Sequence, residues 1–277
     1  MIDVFFQYDF LRYSLFTGLM IGFLAPFLGV FLVVRRLSLM ADALSHITLT
    51  GIAFSMLLGR HVTFFSALNP VYMGMIFSVG GSLLIERLRF VYRFYKELAI
   101  PIILSAGIGL GVVFISLADG FNNDLFNYLF GSVVAINQTD FYVVVSLTAV
   151  VTGLIILFYK ELFFLSFDEE QAVIAGIPKM PLHFLFMVMV ALVIGISMQI
   201  VGILLVSALM TLPVACAMRL ARGFKQLFFY AVLFGEISVV AGLVSAFHLD
   251  LAPGGTIVMA NVLLLIGTII LTKKQSM

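Results

Sequence analysis

The sequence predicts an all-α, polytopic transmembrane helical bundle of about nine spans. Three observations lead there. Of 277 residues, 63% are hydrophobic and only 10% are charged, against about 25% charged in soluble domains. The apolar residues come in runs of roughly 20, the length of a helix that crosses hydrocarbon. The basic residues fall between alternate runs, as cytoplasmic loops require.

Along the chain the expected spans are 13–34, 38–58, 64–85, 98–118, 140–159, 182–200, 202–220, 226–247 and 252–272. Asp3 and Asp9 precede the first run where a cleaved leader would carry basic residues, so it is read as a retained span. Arg35 and Arg36 separate it from the second. Arg87, Arg89, Arg93 and Lys96 follow the third. After the fourth, the polar stretch 119–124 runs into Leu125–Gly131, read as a short helix at the outer surface. Lys160 and Lys179 lie between the fifth and the sixth. The apolar stretch 182–220 is too long for one span and leaves no generous loop between two. Gly202 and Pro213 mark a tight turn or a broken helix there, and two short helices are expected. With the N-terminus outside, every lysine and arginine of the fifteen except Arg12 and Arg60 falls on the cytoplasmic side, where the C-terminus follows. The chain is read as one transmembrane domain, 1–277.

Composition excludes several classes. A net charge of +1 offers nothing to nucleic acid. Cys216 is the sole cysteine, so a disulfide framework and a thiolate metal cluster are both excluded. With no tryptophan, any interfacial aromatic belt comes from tyrosine and phenylalanine. The phosphate-loop pattern, H-E-x-x-H and G-x-S-x-G are all missing.

The residues that carry chemistry are the ionisable ones inside apolar runs, because such groups are costly there and mark a polar path or a partner. Asp42 and His46 stand four apart, on one face of a helix. A carboxylate and an imidazole suit a borderline dication such as Zn²⁺, Mn²⁺ or Fe²⁺. Two ligands are half a site, and the rest must come from other helices or from a second subunit. Ser45, Thr48 and Thr50 are polar neighbours. The plainer alternative has Asp42 reaching to Arg35 or Arg36 and His46 bonding a backbone carbonyl. Glu236 is the other intramembrane acid, read as a further ligand or as a protonated acid bonded to a neighbouring helix. Asn69, Gln199 and Asn261 are assigned to helix–helix hydrogen bonds, and His183 to packing. His61, His248 and Asp250 flank the outer span ends. The segment 166–178 is expected to form a short cytoplasmic helix. Ser166 is its expected N-cap, Asp168, Glu169 and Glu170 fill its first turn, Gly176 ends it and Pro178 stops it. It is either an amphipathic connector or a docking helix for a soluble partner.

Several stretches together resemble the ABC-3 family, the membrane permeases of bacterial ABC importers for zinc, manganese and iron. They are 33–51 (VVRRLSLMADALSHITLTG), 129–132 (LFGS), 167–172 (FDEEQA) with Gly176, and 202–217 (GILLVSALMTLPVACA). The resemblance runs over essentially the whole chain and is closest to the zinc-uptake branch. It implies a multi-pass permease in the bacterial cell membrane that is not itself an enzyme. No cofactor would be permanently bound, and Zn²⁺, or alternatively Mn²⁺ or iron, would be the cargo. The implied partners are a second copy of the chain, a cytoplasmic ABC ATPase dimer and an extracellular metal-binding lipoprotein. Asp42 and His46 match the family's metal-handling pair. Phe167, Asp168, Glu169, Glu170, Ala172 and Gly176 match its ATPase-coupling segment. Glu236 has no counterpart in the family pattern. Two other readings stay open from the residues: a stand-alone proton-coupled carrier with Glu236 as its acid, and an intramembrane metal enzyme.

Overall fold

A computed structural model describes residues 8–66, 68–118, 123–132 and 136–275. Among them the regular structure is all helical. The helices are α1 (Asp9–Val34), α2 (Ser38–His61), α3 (Thr63–Ser66), α4 (Pro70–Val91), α5 (Ala99–Leu117), α6 (Asn123–Phe130), α7 (Gln138–Leu157), α8 (Tyr159–Phe167), α9 (Glu169–Ile174), α10 (Lys179–Val201), α11 (Ile203–Leu220), α12 (Phe224–Leu249) and α13 (Pro253–Gln275). Eight of them are long and apolar enough to cross a membrane. The ninth expected span is α11, whose apolar run Leu205–Leu220 is shorter.

Contacts between helices set their directions. Arg35, Glu86, Glu169, Lys179 and His183 meet at one end of the bundle, the basic end. Gln199, Gly131, Gly202 and Gly254 meet at the other. Two layers result. In one, α2 packs on α4 and α5; in the other, α1, α11, α12 and α13 pack together. Helix α10 lies against α4, α2 and α1, and α11 contacts α2, so these two join the layers. Lys179–Val201 is accordingly the most enclosed of the eight long apolar helices, with 78% of its window buried.

Local chemistry explains the boundaries. The third span starts at Pro70, not at 64, because 63–66 closes a separate short helix. Asn69 then caps α4 with its side chain on the Val71 N–H, and proline occupies the first turn, where no donor is needed. Asn137 caps α7 in the same way through the Asp140 N–H. Pro213 lies inside an unbroken α11, so of the two residues expected to interrupt 182–220 only Gly202 does so.

The break at Gly202 is a three-glycine joint. Gly202 has φ +81°, and a Cβ there would stand 2.5 Å from the Leu129 carbonyl oxygen. Gly131, at φ +80°, would drive a Cβ into the Ile200 carbonyl, and Gly254 would do the same to Val201. Helix α6, expected over 125–131 and found over 123–130, thus ends directly on the break. The Ser132 N–H donates to the carbonyl of Gln199, one of those left open at the end of α10. Of the polar stretch before it, 119–122 lies outside the described residues.

Two conditions meet at Gly202, a left-handed backbone and a close approach. Gly202→Ala is therefore expected to destabilise the protein by about 1–3 kcal/mol, seen as a lower thermal midpoint in detergent. Gly109→Ala, where a Cβ meets open space, is expected to leave the midpoint unchanged.

Candidate metal-handling site and coupling segment

Helix α2 carries Asp42 and His46 one turn apart, starting just inside the basic end. Their side chains are 39% and 21% exposed, and His46 Nε2 lies 4.0 Å from Asp42 Oδ1. That is too long for a hydrogen bond. Two ligands of one tetrahedral ion, with bonds of about 2.0–2.2 Å, stand roughly 3.4 Å apart, so the pair must draw slightly closer to share an ion. The neighbouring hydroxyls turn back onto their own helix. Ser45 donates to the Ala41 carbonyl, Thr48 to Leu44, and Thr50 to His46 and across to Gly107 on α5. They stabilise the helix and its packing and leave the carboxylate and the ring as the reactive pair. Arg35 is turned toward α9 and α10, so it is not the partner of Asp42.

Glu236 stands elsewhere. Its helix α12 packs on α1, α11 and α13. Its Oε2 lies near Gly22 of α1 and is buried with no hydrogen-bond partner. Among the described residues no three His, Cys, Asp or Glu side chains converge on one point, so Glu236 does not complete the Asp42–His46 pair within this chain. Cys216 is buried against Thr268 of α13. His248 bonds the Val244 carbonyl of its own helix, and Asp250 ends that helix with φ +53°.

The segment 166–178 forms α9 as expected, with one correction. Its N-cap is Asp168, whose Oδ1 accepts the Gln171 N–H at 2.9 Å. Ser166 belongs to the preceding α8 and bonds back to Leu162. The preceding α8 runs through Ser166 to Phe167, so the cap position falls on Asp168, whose charge also suits the positive end of α9. Gly176 ends α9 at φ +82°, with the Gly176 N–H on Val173 and the Ile177 N–H on Ala172. Ala172 is fully buried between Leu165 and Leu182. Phe167, Glu170, Val173 and Ile174 face outward, Ile174 at 85% exposure. The base beneath is aromatic: Phe163 and Phe167 of α8 pack on Phe224 at 4.9 and 5.4 Å, and Phe224 on Phe228 at 4.9 Å.

Two polar clusters go beyond the reading of the sequence, which assigned Asn69 and Gln199 to helix–helix hydrogen bonds without naming their partner. At the basic end His183 is buried, as expected for packing, but it is also hydrogen-bonded to Arg35 and Glu86. Glu86 falls one residue past the expected end of the third span, outside the apolar runs searched for ionisable groups. At the opposite end Asp140 is 7% exposed and receives the Asn69 amide at 3.3 Å, with Gln199 also bonded to it. These three pin α4, α7 and α10 beside the glycine joint. The signal was present as three amide or acid residues at the outer ends of spans, without the pairing.

Comparison with known proteins bears on this arrangement. The ABC 3 transport family matches residues 7–272. The chain belongs to that family. The ABC-3 chain is 31% identical to the manganese transport system membrane protein MntC of Listeria monocytogenes, over 98% of this chain and 94% of the other. It is 29% identical to the high-affinity zinc uptake system membrane protein ZnuB of Haemophilus influenzae, over 94% and 97%. The structure of PsaBC from Streptococcus pneumoniae in complex with Fab superposes with a TM-score of 0.83 at 31% identity, covering 97% of this chain and 95% of that one. This ABC-3 protein is accordingly a multi-pass, non-catalytic membrane permease of an ABC-type transporter for divalent transition metals. Family membership removes the stand-alone carrier and the intramembrane enzyme.

Glu169 is held by Lys179 and by Arg35 at 3.5 Å. Partial burial works to raise its pKa, but the Lys179 hydrogen bond and the two positive charges outweigh it and keep the carboxyl below its ordinary value. A carboxyl with a lowered folded pKa stabilises above its unfolded value, and the contribution is lost as pH falls through the folded one. Lys179→Met is therefore expected to speed amide exchange across 169–177 at pH 7. The difference from the parent chain should shrink as pH falls below the ordinary carboxylate range and through the lowered folded pKa of Glu169.

Proposed function

We propose that this chain is the permease of a manganese importer, and that two copies form one ion path with Asp42 and His46 of each copy facing it. The observation that carries this is the half-open pair itself. A carboxylate and an imidazole lie one turn apart, partly exposed, on a helix whose neighbouring hydroxyls Ser45, Thr48 and Thr50 are already bonded. A second copy would supply the missing ligands and double the negative charge against a dication. Coordination by oxygen and nitrogen admits Mn²⁺ and Zn²⁺ alike. Relatives named for manganese systems match at 31–32% identity and the zinc-named one at 29%. The relatives favour manganese over the zinc expected from sequence.

The basic end is taken as cytoplasmic by the positive-inside rule, which puts the N-terminus outside and the C-terminus inside. The exposed surface of α9, with Phe167, Glu170, Val173 and Ile174, then faces the cytoplasm as the docking site for an ATPase dimer. The joint between α6, α10 and α13 faces outward, where a metal-binding lipoprotein would deliver its ion.

At matched membrane levels, Asp42→Ala and His46→Ala are each expected to reduce Mn²⁺ uptake to the background of vesicles without the protein. Unimpaired uptake in both would remove the pair from the path. Excess unlabelled Mn²⁺ should compete better than Zn²⁺ for uptake by the parent chain; the reverse order would assign the importer to zinc. Glu169→Lys with Glu170→Lys should lower recovery of the ATPase on co-purification, and unchanged recovery would move the docking site elsewhere.

A further inference from the structure

We propose that Arg35 is a positioning residue that transmits movement of α9 to α2, the helix bearing Asp42 and His46. The inference rests on α9 being the ATPase-docking segment. Arg35 caps the C-terminus of α1, yet its side chain is only 4% exposed. A buried guanidinium is tolerated only where charge and hydrogen bonds compensate it. Here Glu169 of α9 lies 3.5 Å away, His183 Nδ1 of α10 accepts at 2.8 Å, and the Phe186 ring lies under the cation at 5.6 Å. Glu169 is the carboxylate in contact with it. The side chain of Glu169 is 43% exposed, so the clasp has one end at the proposed docking surface.

His183 passes the contact onward. Its Nδ1 faces Arg35 at 2.8 Å, and its Nε2 is hydrogen-bonded to Glu86 of α4 at 2.7 Å. Glu86 in turn pairs with Arg89 at 3.3 Å. Helix α4 is closely packed on α2, with Gly74 against Thr48 and Gly81 against Ile47. One route from α9 therefore reaches α2 through α10 and α4.

The second route is shorter and runs through the backbone. Only Arg35, Arg36 and Leu37 separate α1 from α2. Arg36 has φ +57°, a left-handed position usually given to glycine. The Arg36 N–H bonds Val33 at 3.0 Å, the Leu37 N–H bonds Leu32 at 2.7 Å, and the Met40 N–H bonds Leu37 at 2.9 Å. The turn thus has no slack, and Asp42 lies five residues beyond it. If Glu169 moves away, Arg35 must follow or remain buried without its carboxylate. The second leaves a buried cation unpaired and is costly, and the first displaces the start of α2.

The test uses the permease purified with its ATPase in proteoliposomes, reading Mn²⁺ uptake and ATP hydrolysis in the same vesicles. Arg35→Gln should still bind the ATPase and hydrolyse ATP, while Mn²⁺ taken up per ATP falls about tenfold. Arg35→Lys should restore part of the loss, and Arg36→Gln should show none. Should Arg35→Gln fail to assemble, Glu169→Gln removes the same charge pair from the exposed side and should lower the ratio in the same direction. The double variant should be no worse than Arg35→Gln alone, because both cut one contact. A normal uptake-to-hydrolysis ratio in Arg35→Gln, or in Glu169→Gln where Arg35→Gln does not assemble, would overturn the inference. A parent chain that retains no ATPase would overturn the docking assignment and this inference with it.

Discussion

Hydrocarbon offers no hydrogen bonds, and most of this structure follows from that constraint. Several hydroxyls within the spans turn back to a carbonyl three or four residues earlier, namely Ser45, Thr48, Ser197, Thr211, Ser238 and Thr272. Where the backbone ladder must break, at Gly202, the chain brings another segment of itself to the gap. Helix α6 ends on the break, and the Ser132 N–H meets the Gln199 carbonyl. Glycine at both contacting positions is what lets two backbones come that close. The same constraint isolates Asp42, His46 and Glu236, whose side chains are not absorbed into their own helices in this way.

Much of the fold was legible because lipid imposes a strong one-dimensional signal. Long apolar runs and sorted basic residues located α1, α2, α5, α7, α10, α12 and α13 to within a few residues. The third span was misplaced because Phe64 and Phe65 extend its hydrophobicity backward, whereas Asn69 and Pro70 decide where the helix begins. The N-cap of α9 was misassigned by two residues for a similar reason. Ser166 and Asp168 both suit a cap, and only the register of α8 chooses between them. Capping is a local contest, and hydropathy averages over it.

The polar clusters were less legible. Asn69, Asp140 and Gln199 come from three helices, and no spacing along the chain encodes their meeting. Arg35, Glu86, Glu169 and His183 come from four segments, with Glu86 and His183 nearly a hundred residues apart. Asp42 and His46 were visible because one helix holds both. Glu236 was visible for its charge alone, and packing sets it in the other layer, against α1.

The geometry of a half-site has its own consequence for the proposed pair of subunits. A dication is held well only when several ligands and enough negative charge surround it, and it is released when they separate. One chain gives one carboxylate and one imidazole, so neither subunit alone binds the ion strongly. Bringing the two copies of α2 together raises ligand number and charge in one step, and parting them lowers both. Opening the path and weakening the site are then a single motion. In the proposed coupling that motion begins at the end of α2 nearest Arg35, where three residues join it to α1 and Arg35 contacts α9.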